Sequence, residues 1–521
     1  MMKKLPIGTQ SFSILRSTDC LYVDKTEYIY RMVTTGRVYF LSRPRCFGKS
    51  LLVSTLDALF KGQKELFEGL YIYDKWNWNE QYPVIRLDFG ERTYDTPEKL
   101  ESSLFTFINE MAENYSVNLV SPDLSDRFGE LIKRLHKSTG QQVVVLIDEY
   151  DKPITDHLSD PKVMTANKTT LHNFYQVLKA TDEHLYFIFL TGVSKFAGVS
   201  VFSALNNPDD ITKEDQYASI CGYTQEELES YFSDYINRAA KYNNMNRRDL
   251  LDKIRTWYNG YSWDGETSVY NPFSTLSFFK KMIFDDYWFR TGTPGFLIEL
   301  LKRRNQLQPI FEPIRVGSSI FDGYEPENIS EISLLFQTGY LTVKQRDKSQ
   351  NRVQYILELP NEEVKESFLE YLLNAYSSYP KEQIQPLITD MQRQIFNKDT
   401  SGIEKNLRML LANIPNIIQI QQEGYYHSLF LTWMKMLGFE IQGEILTNIG
   451  RIDAVWRQPG LTVIAEVKYS ADKNIDSLLD EAMTQIHDRQ YYEAFLGEKI
   501  MLMGVAFAGK EVKCRLELLE S

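Results

Sequence analysis

Arg43-Pro44-Arg45-Cys46-Phe47-Gly48-Lys49-Ser50 follows the short apolar run Val38–Leu41 and opens a helical pattern, Lys49–Phe60. A strand, a tight loop and a helix start in that order make an anion site, because the first backbone N–H groups of the helix have no partner inside it. The end of the loop, Gly48-Lys49-Ser50, matches the tail of G-x-x-x-x-G-K-[ST]. There the lysine reaches the outer phosphates and the hydroxyl ligates Mg²⁺. Arg43 occupies the place of the first glycine, so the loop is expected to follow a different path from a glycine-initiated one.

A second motif reinforces the first. Val143-Val144-Val145-Leu146-Ile147 is uninterruptedly apolar, as a central parallel strand requires, and it ends in Asp148-Glu149. At the carboxyl end of such a strand, Asp148 is placed to hold Mg²⁺ through water and Glu149 to polarise an attacking water. The run Leu185–Leu190 ends in Thr191-Gly192-Val193-Ser194-Lys195. Thr191 and Ser194 are candidates for sensing the terminal phosphate, with an ordinary strand-end turn as the alternative. Arg43 and Arg45 are candidates for contacting phosphate in cis, with structural pairing as the alternative.

Working outward, short apolar runs alternate with helical stretches through the first half, the pattern of a parallel α/β sheet. Further strands are expected at Val84–Phe89 and Ala218–Cys221, a helix at Lys99–Tyr115, and a capping box at Thr224-Gln225-Glu226-Glu227. The expected fold is α/β. A P-loop NTPase domain covers 1–275, a helical or winged-helix-like module 276–375 with strand-like pieces at Gly339–Lys344 and Gln354–Leu359, and a helical linker with a restriction-endonuclease-like α/β domain 376–521.

The C-terminal region carries its own constellation. Gly450–Val455 reads as a strand containing Asp453, and twelve residues separate Asp453 from Glu466 in the apolar strand Leu461–Tyr469. Alternation puts Glu466 and Lys468 on one face and Val467 on the other. Charges inside an apolar strand are costly unless satisfied, which favours a functional reading. Asp453 and Glu466 are expected to ligate Mg²⁺, and Lys468 to orient water and offset phosphate charge, in metal-assisted phosphodiester hydrolysis. Glu423 starts a helix and shares a face with His427 at i,i+4, a spacing compatible with ligation, whereas His427 is better read as an ordinary helix-face or satisfied core histidine. Gln485 is a candidate for binding water or phosphate, and Arg489 is better read as a solvated charge.

A net charge of −12 argues against a wholly basic nucleic-acid-binding surface but leaves room for a local groove. The four cysteines, Cys20, Cys46, Cys221 and Cys514, form no C-x-x-C pair, so neither a zinc site nor a disulfide framework is expected, which fits a cytoplasmic protein. No apolar run approaches the length of about 18 residues needed to span a bilayer, and no membrane partner is expected.

These motifs resemble the AAA-ATPase-like proteins common in gut bacteria. The resemblance lies in Tyr22-Val-Asp-Lys-Thr26, Arg43–Ser50, Asp148-Glu-Tyr-Asp-Lys-Pro153, Thr191–Lys195, Trp257-Tyr-Asn-Gly-Tyr261 and Thr291–Pro294. Arg-Pro-Arg-x-Phe-Gly-Lys-Ser is the usual loop in that family, whereas Lys195 stands where arginine is frequent. The last region resembles the PD-(D/E)xK domain found behind this ATPase, in Glu423-Gly-Tyr-Tyr-His427, Gly450–Asp453, Ala465–Lys468, Gln485 and Tyr491-Tyr492. The resemblance implies ATP held by Arg43, Arg45, Phe47, Gly48, Lys49, Ser50, Asp148 and Thr191. It also implies catalytic roles for Glu149, Asp453, Glu466, Lys468 and Gln485, and metal ligation by Ser50, Asp148, Glu423, Asp453 and Glu466. The expected cofactors are ATP and Mg²⁺, with Mn²⁺ as a substitute. The expected partner is nucleic acid, DNA ahead of RNA, and self-association is compatible with the family. The expectation is an ATPase regulating a nuclease; the alternative is an ATP-binding signalling or defence switch whose nuclease-like fold binds without cutting.

Overall fold

A computed structural model describes the chain except for residues 1, 159, 196–207, 292–312, 323–329, 350–351, 369–383, 413–422, 440, 448–449, 496 and 520–521. The described residues form two compact units, the first ending at Val364 and the second following it.

In the first unit, β1 (Val38–Ser42), β2 (Val84–Asp88), β3 (Val143–Asp148), β4 (Leu185–Gly192) and β5 (Asp209–Asp210) form a sheet in the order β2-β3-β4-β1-β5, parallel throughout. Every residue of β3 is buried, as its unbroken apolar run demands. The helices Pro97–Asn114, Leu124–Thr139 and Pro161–Ala180 pack Leu104, Phe107, Phe128, Leu131 and Phe174 against Val145, Ile147 and Leu190. The helix Lys49–Phe60, starting directly after β1, packs on β2, β3 and β4. In a parallel sheet every strand ends at the same edge, so the tips of β1, β2, β3 and β4 converge there.

Ala218–Cys221 is not a strand. The 3₁₀ turn Asp215–Tyr217 precedes it, and local bonds such as Ile220 N–H to the Tyr217 carbonyl satisfy its backbone. Buried cations take further carbonyls, Arg43 that of Tyr217 and Lys25 that of Ser219. The outer strand is instead the two-residue β5. The capping box at Thr224 forms as expected.

The middle stretch contains an antiparallel sheet of β6 (Ile314–Gly317), β7 (Thr342–Asp347) and β8 (Gln354–Glu358), in the order β6-β8-β7. The strand expected from Gly339 begins at Thr342, because Gly339 (φ +91°) closes the helix Glu331–Thr338 in a left-handed conformation.

The second unit contains the helices Ile384–Phe396, Thr400–Ala412 and Glu423–Met436 before its sheet. Its strands are β9 (Gln442–Thr447), β10 (Gly450–Gln458), β11 (Leu461–Tyr469), β12 (Ile500–Ala508) and β13 (Glu511–Leu519), in the order β13-β12-β11-β10-β9. Only the β11–β12 pairing is parallel, the crossover being made through the helix Ile475–Asp488, which packs on β11, β12 and β13. Among the described residues no helix is long and apolar enough to cross a membrane.

Candidate functional site

The loop after β1 turns at two left-handed positions, Cys46 (φ +65°) and Gly48 (φ +96°), the latter being the N-cap of the helix Lys49–Phe60. The turn therefore makes no demand for glycine at position 43. Arg43 is instead a buried strut. Its guanidinium donates to the carbonyls of Ser42, Thr212 and Tyr217 and lies 3.9 Å from the centre of the Trp263 ring. Burial lowers its pKa to about 10. Phe47 is also buried, edge-on to Tyr261 and Trp263. The side chains of Arg43 and Phe47 thus brace the loop from behind, and the Trp257–Tyr261 motif supplies part of their bed. Lys49 folds over the loop, donating to the carbonyls of Arg43 (2.9 Å) and Pro44 (3.0 Å). Trp288 Nε1 donates to the Arg45 carbonyl at 3.0 Å.

A cavity of about 490 Å³ opens at the strand tips, lined among others by Arg45, Ser50, Arg86, Asp88, Glu149 and Asp151. Of the residues expected at the nucleotide, Arg45, Ser50 and Glu149 line it directly. Asp148 is fully buried, and its Oδ1 accepts from the Glu149 amide at 3.0 Å. Burial raises its carboxyl to about 6, against the opposing pull of the Ser50 hydroxyl and the Lys49 ammonium. Its Oδ2 has no hydrogen-bond partner among the described residues. A buried anionic oxygen left over beside a hydroxyl fits a divalent cation shared with phosphate oxygens. Thr191 does not join the cavity: its hydroxyl donates to the Leu41 carbonyl and ties β4 to β1.

Sequence reasoning missed Arg86, Asp88 and Asp151. Asp88 ends β2 in register with Asp148 at the end of β3, and alternation puts Arg86 on its face. An acid at a second strand tip was the available signal. Asp151 is buried and accepts from the amides of Val193 and Ser194, contacts across more than forty residues of sequence that no local pattern shows. Burial raises it to about 6.

In the second unit, a cavity of about 710 Å³ is lined by Asp453, Glu466, Lys468, Gln485 and Arg489, with Asp480, Glu481 and Asp488 on the adjoining wall. Side chains from β10, β11 and the helix Ile475–Asp488 thus converge on one cavity. Lys468 Nζ lies 3.0 Å from Glu466 Oε1, with Glu466 fully buried. Asp453 Oδ2 accepts from the Val467 amide at 2.9 Å. His427, read as an ordinary helix-face or satisfied core histidine, is buried and stands beside this group. Its Nε2 is 3.0 Å from the Asp453 carbonyl and 3.9 Å from Asp453 Oδ1. A carbonyl only accepts, so Nε2 carries the proton. The side chain of Glu423 lies outside the described residues. Among those described, no three His, Cys, Asp or Glu converge as a metal cluster. Two carboxylates still fit Mg²⁺, which is bound through one or two carboxylates and keeps several waters. The acidic wall, a periodic helix face, is the part the sequence reading overlooked. Arg515 offsets Asp480 at 2.6 Å and Lys473 offsets Glu481 at 2.7 Å.

A parallel sheet with a Gly-Lys-Ser loop at its edge, and a mixed sheet carrying Asp…Glu-x-Lys, define an ATPase-like protein with a nuclease-type domain. Residues 6–202 match the family model described as Predicted AAA-ATPase, and residues 421–517 match that of the PD-(D/E)XK nuclease superfamily. The chain belongs to the AAA-ATPase-like family and carries a C-terminal domain of the PD-(D/E)XK nuclease superfamily. A curated relative, "Uncharacterized protein in vnfD 5'region" from Azotobacter chroococcum mcd 1, is 38% identical over 514 residues, covering 97% of this chain and 96% of the relative.

Proposed function

We propose that the first unit binds and hydrolyses ATP with Mg²⁺, and that nucleotide state regulates metal-dependent phosphodiester cleavage of nucleic acid, DNA ahead of RNA, by the second. The observation that carries this reading is the convergence of Asp453, Glu466, Lys468 and Gln485, drawn from three separate elements, on one cavity. When bound there, Mg²⁺ acidifies water and offsets charge on the scissile phosphate. Asp453 and Glu466 hold it. Lys468, already paired with Glu466, orients the water and meets a phosphate oxygen, and Gln485 donates or accepts at the same edge.

In the first unit, backbone N–H groups after Gly48 receive phosphate oxygens, and Lys49 exchanges the Arg43 and Pro44 carbonyls for the outer phosphates. Ser50 and, through water, Asp148 would hold Mg²⁺, and Glu149 would polarise the attacking water by accepting its hydrogen bond.

Purified protein is incubated with Mg²⁺ or Mn²⁺ and assorted DNA and RNA. Cleavage should disappear in Asp453→Ala and Lys468→Ala; cleavage surviving both belongs to a contaminant. Phosphate release should fall in Lys49→Ala and Glu149→Gln, and equal rates would remove the hydrolytic role. A second reading, a switch whose nuclease-like fold binds without cutting, is favoured by the net charge of −12, which opposes a polyanion. Calorimetric metal binding compared between wild type and Glu466→Ala separates the two.

A further inference from the structure

Asp151 sits two residues beyond Glu149, and neither of its carboxylate oxygens is spent on a side chain in the hydrogen bonds that define it. Oδ1 and Oδ2 each lie 3.2 Å from the Val193 amide, and Oδ2 lies 2.7 Å from the Ser194 amide. Tyr150, one residue earlier, repeats the connection twice. Its amide donates to the Thr191 carbonyl at 3.1 Å and its hydroxyl to the Ser194 carbonyl at 2.8 Å. The turn after β3 is therefore fastened to the end of β4 and the turn that follows it at three residues, Thr191, Val193 and Ser194. A Cβ at Gly192 would collide with the Asp151 carboxylate and the Tyr150 ring, so the close approach requires glycine there.

The fastening matters because of the residue just before it. Glu149 adopts φ +52°, a left-handed conformation that a side chain with Cβ takes up only at a cost and holds only when its surroundings fix it. The Asp148 end is fixed by the fully buried β3. The other end is fixed by Asp151 and Tyr150. Beyond Ser194, the Lys195 amide donates to Gln337 Oε1 at 2.9 Å, and its ammonium meets Asp210 at 2.6 Å, so the β4 turn is itself secured.

We propose that Asp151 is a positioning residue for ATP hydrolysis, clamping the β4 turn to the β3 turn so that Glu149 is held in its left-handed conformation toward the cavity. This rests on the nucleotide reading of the first unit. Asp151 acts through Glu149, both of its carboxylate oxygens being engaged by the Val193 and Ser194 amides. Asparagine at this position keeps one acceptor but turns an N–H₂ toward backbone N–H groups, which loosens the clamp with little change in volume.

The test compares full-length wild type, Asp151→Asn, Glu149→Gln and the double variant, measuring phosphate release against ATP concentration and binding of a fluorescent ATP analogue. Asp151→Asn should lower kcat by about tenfold or more with KM and analogue affinity little changed, as expected when a reacting group is misplaced rather than a binding contact removed. The double variant should be no slower than Glu149→Gln alone, because the two residues act in series. Tyr150→Phe, which removes one hydroxyl bond, should give a smaller fall in kcat and carries the test if Asp151→Asn does not fold. Wild-type kcat in Asp151→Asn, or in Tyr150→Phe where that variant stands in, overturns the proposal, as do multiplicative losses in the double variant. If wild type itself releases phosphate no faster than Lys49→Ala, it is the hydrolysis reading that fails, and the clamp proposal goes with it.

Discussion

The Asp453 carboxylate accepts a hydrogen bond from the Val467 main-chain amide at 2.9 Å. The antiparallel ladder between β10 and β11 stops at Ala454↔Ala465, and one further step would set Asp453 opposite Glu466. A side chain thus takes over from the strand where pairing ends. That substitution fixes the Asp453 rotamer, keeps the β11 backbone satisfied and brings the two acids to one cavity.

Asp453→Asn and Asp453→Ala should therefore separate chemistry from architecture. Both remove the negative charge, and both should abolish metal-dependent cleavage. Asparagine can still accept from Val467 N–H, whereas alanine leaves that amide unpaired at a cost of about 1–3 kcal/mol. Denaturant midpoints should be near wild type for the first and lower for the second. Equal midpoints would show that the Val467 bond contributes nothing.

Arg43 should matter for folding rather than for ATP contact. Lysine retains charge but cannot span the carbonyls of Ser42, Thr212 and Tyr217 or stack on Trp263. Arg43→Lys should lose roughly 2–3 kcal/mol, about one per carbonyl left without its donor. Affinity for an ATP analogue, measured where the variant remains folded, should stay within a few-fold of wild type. A stable variant that no longer binds nucleotide would reverse this assignment.

Gly48 lies at φ +96° with open space where a side chain would start. Gly48→Ala thus meets no clash, and its cost is the backbone conformation itself, about 1–2 kcal/mol. Relief of that strain would turn the first N–H groups of the helix away from the phosphates. Losing one such bond, at about 1.4 kcal/mol, is tenfold in Kd. Analogue titration and thermal melting check both parts, and an unchanged Kd would mean that the loop is not the phosphate cradle.

What the sequence revealed follows from how local each cause is. The burial of β3 is written in five consecutive apolar residues, and the shared face of Glu466 and Lys468 in strand alternation, so both were legible. Ala218–Cys221 looked like a strand because it is apolar, but Arg43 and Lys25 claim carbonyls in and beside it from far away in sequence. The bonds of Asp151 to Val193 and Ser194 are likewise products of the folded sheet edge. Phe47 and Thr191 sit within recognisable motifs, yet their side chains serve the core and the β1–β4 pairing. A motif marks a neighbourhood; which side chain faces the cavity is decided by packing.

Glu363 offers a test of buried charge away from both cavities. It is fully buried, accepting from the Ser274 hydroxyl at 2.7 Å and from the Trp288 amide at 2.6 Å. Burial pushes its carboxyl up to about 8, with the nearby Asp286 and Asp285 adding to the shift. Arg290 is paired to both of those aspartates, and Tyr258, Tyr261 and Tyr287 complete the surroundings. The folded chain thus keeps a proton that the unfolded chain releases near 4.5. Stability contributed by this group is greatest at the acid end, falls as pH climbs from about 4.5 to about 8, and is level above that. The slope within the window is at most about 1.4 kcal/mol per pH unit. Glu363→Gln preserves an acceptor for Trp288 and Ser274 but has no proton to lose. Its stability relative to wild type should therefore rise with pH across the window, in urea midpoints taken from pH 5 to 8.5. Parallel profiles for the two proteins would mean that Glu363 ionises near its ordinary value and that burial is not setting its charge.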